Sequence, residues 1–76
     1  MPQQQPPFLY SRDPAWCLAY VKGRINGYRK GNLGLAAVAG AIRLARVCKV
    51  PVDQIVSAAR AAGLEYDPNT EVISGA

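Results

Sequence analysis

Three helices around a thin aliphatic core are what this sequence predicts: an all-α fold, a small three-helix bundle with a tight corner between its second and third helices. Three observations predict it. Apolar residues recur at steps of three and four in three separate stretches, the period of a helix with one buried face. Helix starts and stops punctuate those stretches at Asp13-Pro14, Gly31-Asn32, Pro51 and Gly63. The length, 76 residues of which 50% are apolar, suits one small domain. Its apolar material is mostly Ala, Val, Leu and Ile, with one Trp, one Phe and one Met. A core of that size rarely supplies more than ~3–5 kcal/mol, so a homodimer or a larger partner is expected.

The lead, residues 1–12, is Gln- and Pro-rich and is expected to be extended, with Phe8, Leu9 and Tyr10 as a short piece that docks on the body or an anchor in a loose lead. The helical domain is expected over residues 13–64. Asp13 is suited to accept from the first free amides and Pro14 is preset for the first helical position. From there Cys17, Leu18, Val21, Ile25 and Tyr28 share one face, with Trp16 and Tyr20 on an adjoining stripe. Gly23 and Gly27 each cost about 1 kcal/mol relative to Ala in a helix. Their spacing either admits a second helix or frays the end. Gly31 reads as the stop and Asn32 as the next N-cap.

The second helix, residues 33–48, is small-sided and buries Leu35, Val38, Ile42 and Ala45. The third starts at Pro51, carries Asp53 in its first turn, and buries Val52, Ile55, Val56, Ala59 and Ala62 before stopping at Gly63. The remainder, residues 65–76, is a tail or a short hairpin: Asp67-Pro68-Asn69-Thr70 is turn chemistry, with Glu65-Tyr66 and Val72-Ile73 as its two arms.

Several function classes lack their residues. There is no histidine, the two cysteines lie far apart, and the acids are scattered, so no metal-ligand spacing is present. Ser11, Ser57 and Ser74 have no base to activate them. Gly31, Gly34 and Gly40 match neither phosphate-binding glycine pattern. The expectation is therefore a non-enzyme with no catalytic residue, no metal and no cofactor. Cys17 and Cys48 are expected as packed thiols rather than a disulfide. The first residues lack the basic start and apolar centre of a signal peptide, and the longest apolar run, residues 33–42, is about half of a ~20-residue membrane span. A cytoplasmic chain without a membrane segment is expected.

Net charge is +4 and unevenly placed. Up to Lys49, the cations Arg12, Lys22, Arg24, Arg29, Lys30, Arg43, Arg46 and Lys49 face Asp13 alone; beyond it, Asp53, Glu65, Asp67 and Glu71 face Arg60 alone. A basic front suits an anionic partner or simply a solvated surface.

One stretch carries a mechanism. Residues 41–60, AIRLARVCKVPVDQIVSAAR, resemble the helix-turn-helix of bacterial and phage DNA-binding regulators. Ala45 matches the small residue at the helix crossing, Cys48 and Val50 the apolar pair that locks the corner, and Ile55 and Ala58 two inward positions of the second helix. Lys49 stands where that family usually has Gly, at a turn that takes a left-handed backbone; non-glycine residues are uncommon there. The resemblance implies a regulator whose helix over 51–62 enters the major groove of double-stranded DNA, with Gln54, Ser57 and Arg60 at base edges. Lys22, Arg24, Arg43, Arg46 and Lys49 would then contact phosphates. Arg29 and Lys30 read instead as complements to the negative end of the first helix.

A second reading stays open. In it the chain is a helical interaction module that binds a partner protein through Trp16, Tyr20 and Tyr28, with inhibition of that partner as one form of the reading. Short basic chains of this composition are common among phage and mobile-element accessory proteins.

Overall fold

The computed structural model describes residues 13–75. The lead over residues 1–12, with its docking of Phe8, Leu9 and Tyr10, lies outside them. In chain order the elements are helix α1 (Pro14–Arg29), helix α2 (Leu35–Val47), helix α3 (Val52–Ala61), strand β1 (Leu64–Asp67) and strand β2 (Val72–Gly75). The expected all-α class needs correcting. The described chain is mostly helical, but its last residues form an ordered two-stranded antiparallel hairpin. Leu64, expected as the final residue of the helical domain, opens the hairpin instead and pairs with Gly75.

Each helix begins and ends by local chemistry. Asp13 caps α1, its carboxylate accepting from the Ala15 amide at 3.1 Å. At the other end Gly31 adopts φ +82°, Asn32 N–H donates to Gly27 C=O at 2.9 Å, and Gly31 N–H donates to Tyr28 C=O at 3.0 Å. That pair of bonds satisfies carbonyls the helix leaves open and requires one left-handed residue. Asn32 belongs to that closure and does not cap α2. The N-cap is Gly34, two residues later, and α2 is correspondingly shorter at its start than the expected 33–48. The Leu33 side chain folds over Gly27, where an added Cβ would sit 2.7 Å from Leu33 Cδ1. A leucine, rather than a second helix, occupies the space that Gly27 leaves, while nothing lies against Gly23.

The end of α2 repeats the device without glycine. Lys49 takes φ +68°, Val50 N–H donates to Ala45 C=O at 3.0 Å, and Lys49 N–H donates to Arg46 C=O at 3.1 Å. Val50 and Ala45 are both buried, which supplies the apolar contact that usually accompanies this cap. Pro51, extended at ψ 133°, is the N-cap of α3 rather than its first residue. Gly63, at φ +79°, ends α3.

The core gathers Cys17, Val21 and Ile25 from α1, Val38, Ala41, Ile42 and Ala45 from α2, and Ile55 and Ala59 from α3. Val50, Leu64, Tyr66 and Ile73 complete it. Leu35, expected among the buried residues of α2, is only partly buried, as are Leu18, Tyr28, Val52, Val56 and Ala62. The inward residue of α3 beside Ile55 is Ala59, fully buried, whereas Ala58 is half-exposed. One position along a helix turns a side chain by about 100°, enough to exchange those two environments. α1 packs most closely on α2 and also touches α3; β1 lies on α3 and β2 on α2.

The hairpin needs those contacts, because an isolated two-stranded ribbon is marginal in water. Its inward residues are Leu64, Tyr66 and Ile73. The turn is closed by Asp67, whose carboxylate accepts from Asn69 N–H at 2.9 Å and whose carbonyl accepts from Glu71 N–H at 2.7 Å. Glu71, at φ +59°, is the second non-glycine in the left-handed region. No disulfide joins Cys17 and Cys48. Their thiols are hydrogen-bonded to one another inside the α1–α2 contact, and burial followed by this contact pushes Cys17 up from 9.0 to about 12. Among the described residues no helix is long and apolar enough to cross a membrane.

Candidate functional site

The outward side of α3 holds Asp53, Gln54, Ser57 and Arg60, all exposed. They fall there because Ile55 and Ala59 fix the opposite side to the core. Gln54 and Ser57 share a concavity with Lys22 and Leu18 of α1, and Asp53, Ala58 and Ala61 also line it. Arg60 is not part of that lining. Its Nε lies 4.0 Å from Glu65 Oε1, in an ion pair whose side chains are 68% and 61% exposed. Such a pair is worth little in water, so the guanidinium stays available.

The cations expected at phosphates separate into two groups. Lys22, Arg43 and Lys49 are exposed. Arg24 and Arg46 are partly buried and hydrogen-bonded to tyrosines of the chain itself. Arg24 donates to the Tyr20 hydroxyl at 2.8 Å, its guanidinium 5.0 Å from the Tyr20 ring centroid. Arg46 donates to the Tyr66 hydroxyl at 2.8 Å and to Pro68 C=O at 3.3 Å. It thus ties the end of α2 to β1 and to the start of the hairpin turn.

The aromatic residues separate likewise. Trp16 and Tyr20, one helical turn apart, stack with centroids 5.3 Å apart and planes at 11°. Arg24 extends the ladder by another turn, and the three border a shallow concavity with Ala19, Gly23 and Leu33. Tyr28 is apart from them. Its hydroxyl lies against Gly75 of β2, where a Cβ would meet it at 3.4 Å.

Sequence reasoning passed over Asn26 and read Arg29 as a helix-end charge, yet both stand near α3. Asn26 and Arg29 line, with Lys22 and Ile25, a concavity of about 170 Å³ whose other wall is Ala58, Ala61 and Ala62. The signal was present in the spacing: positions 22, 26 and 29 share one helical face. Among the described residues no three of His, Cys, Asp and Glu gather as metal ligands. Set against family models, curated proteins and solved structures, the chain matches none.

Proposed function

We propose that this chain is a small DNA-binding domain of helix-turn-helix type, built as a three-helix bundle with an appended hairpin. In this reading α3 presents Gln54, Ser57 and Arg60 to base edges, and exposed cations hold the phosphate backbone. The observation that carries it is the corner between α2 and α3. Lys49 adopts the left-handed backbone that such a turn takes, and Ala45, Val50 and Ile55 are buried around it. Within this reading Arg46 holds the hairpin and Arg24 braces Tyr20, so Lys22, Arg43 and Lys49 are the phosphate contacts.

The test is a fluorescence-anisotropy titration of a labelled random-sequence duplex at low and moderate salt. Arg43→Ala combined with Lys49→Gly removes two exposed charges and leaves the left-handed corner a residue that favours it. The expected result is salt-steep binding by the native chain and a slope shallower by about 1.8 in the variant, ~0.9 for each lost contact. No binding at low salt would sink the reading.

The Trp16–Tyr20 ladder favours a second use. It lies about half a turn around α1 from Lys22, away from α3. It suits a protein contact, a second copy of this chain included, that leaves α3 uncovered. Analytical ultracentrifugation of the native chain and of Trp16→Ala tests the homodimer. A monomer at every concentration removes that form of the second reading.

A further inference from the structure

The two concavities beside α3 share Lys22, Ala58 and Ala61, so they adjoin along a channel between α1 and α3. At one end it is bordered by Leu18, Asp53, Gln54 and Ser57, at the other by Asn26, Arg29 and Ala62. Residue numbers rise together along both walls, so the helices run alongside in the same sense. Charge along the channel is graded: the acid, Asp53, stands at the first end and the cations Lys22 and Arg29 on the α1 rim beyond it. Lys22 and Arg29 are both exposed, and the small side chains of Ala58, Ala61 and Ala62 keep the facing wall low.

We infer that one DNA strand runs along this rim, its phosphates held by Lys22, Asn26 and Arg29, while the outward side of α3 addresses the bases. The inference rests on the DNA reading above and says which residues seat the backbone. Seven residues of helix separate Lys22 from Arg29, about 10 Å along the axis. Neighbouring phosphates follow the inclined backbone and lie farther apart than the ~3.4 Å axial rise, so that distance suits adjacent phosphates of one strand. The three side chains offer complementary donors: a guanidinium fork at Arg29, an amide NH₂ at Asn26 and a mobile ammonium at Lys22. Arg24 projects from another side of α1 onto Tyr20, and Arg46 is occupied by the hairpin, so neither joins the track. Asp53 repels phosphate at the opposite end and gives the strand a preferred exit.

The experiment is the same duplex titration across a salt series, with Lys22→Ala, Arg29→Ala, Arg24→Ala and Asp53→Asn, each checked for native helicity by circular dichroism. Lys22→Ala and Arg29→Ala are each expected to reduce the salt slope by ~0.9. Arg24→Ala should leave the slope unchanged, and Asp53→Asn should tighten binding. If Arg29 served only the helix dipole, its loss would lower thermal stability without moving the slope, and that result overturns the track. Native binding with unaltered slopes in Lys22→Ala and Arg29→Ala overturns the track alone, leaving the DNA reading in place. Absence of native binding at low salt removes both. Polyglutamate that competes as well as the duplex at matched charge would point to an acidic protein partner, and also overturns the proposal.

Discussion

Replacing Arg46 by alanine should loosen the hairpin and cost the domain about 2–4 kcal/mol. The magnitude follows from what the guanidinium holds. Its bond to the Tyr66 hydroxyl, 2.8 Å long, joins a charged donor to a hydroxyl on a residue only 6% exposed. A charge-assisted bond of that kind is worth ~1.5–3 kcal/mol, and the longer bond to Pro68 C=O adds about 0.5–1 kcal/mol. A core of this size is expected to supply roughly 3–5 kcal/mol, so the loss is a large fraction of the domain's stability. Urea unfolding followed by circular dichroism measures it, and a thermal melt should drop by at least ~10 °C. Tyr66→Phe removes the same hydrogen bond from the other side. The two changes together should therefore cost less than their sum, by about 1–2 kcal/mol. A loss under ~0.5 kcal/mol for Arg46→Ala, or strict additivity with Tyr66→Phe, would refute the clamp. Arg46 would then return to the pool of cations available for an anionic partner.

The left-handed positions give an opposed pair of outcomes. Lys49→Gly should be neutral or stabilising by up to ~1 kcal/mol, since an L side chain pays ~1–2 kcal/mol there and glycine gives back less in chain entropy. Gly31→Ala and Gly63→Ala should each lose about 1 kcal/mol; a thermal melt showing the reverse order would discredit the corner as described. Ile55, wholly buried on α3, should tolerate valine at a cost of ~0.5–1.5 kcal/mol. Alanine there should cost ~2–5 kcal/mol and leave the chain largely unfolded by circular dichroism. The buried Cys17 thiol makes stability fall at high pH. Because the folded state raises it from 9.0 to about 12, its contribution is whole below pH ~9. It is lost as pH rises toward 12, with a slope approaching ~1.4 kcal/mol per pH unit. Measuring the difference between the native chain and Cys17→Ala isolates the thiol's share of the pH dependence. A difference that stays flat from pH 8 to pH 11 would show that the thiol ionises freely in the fold.

The sequence alone determined the features whose physics is local. Asp13 before Pro14, Gly31 after α1, Gly63 after α3 and the Asp67 turn act over a few residues, through hydrogen bonds and backbone preferences that need no distant partner. The periodicity placed Val21, Ile25, Val38, Ile42 and Ile55 in the core, because burial of a helix face repeats along the chain. Tertiary structure decided what those signals leave degenerate. Asn32 reads as the N-cap of α2, but its amide closes the end of α1 on Gly27 and the helix starts two residues later, after Gly34. Periodicity placed Ala59 inward and the helix-turn-helix match placed Ala58 there; the fold buries Ala59 and leaves Ala58 partly exposed. Lys49 adopts a backbone that its own chemistry disfavours because Val50 and Ala45 are buried together beside it. The arginines were the least legible. A long cationic side chain reaches several ångströms from its own backbone, so its role depends on what the fold sets within that reach. For Arg24 that was Tyr20, for Arg46 the hairpin, and for Arg29, first read as a helix-end charge, the channel beside α3.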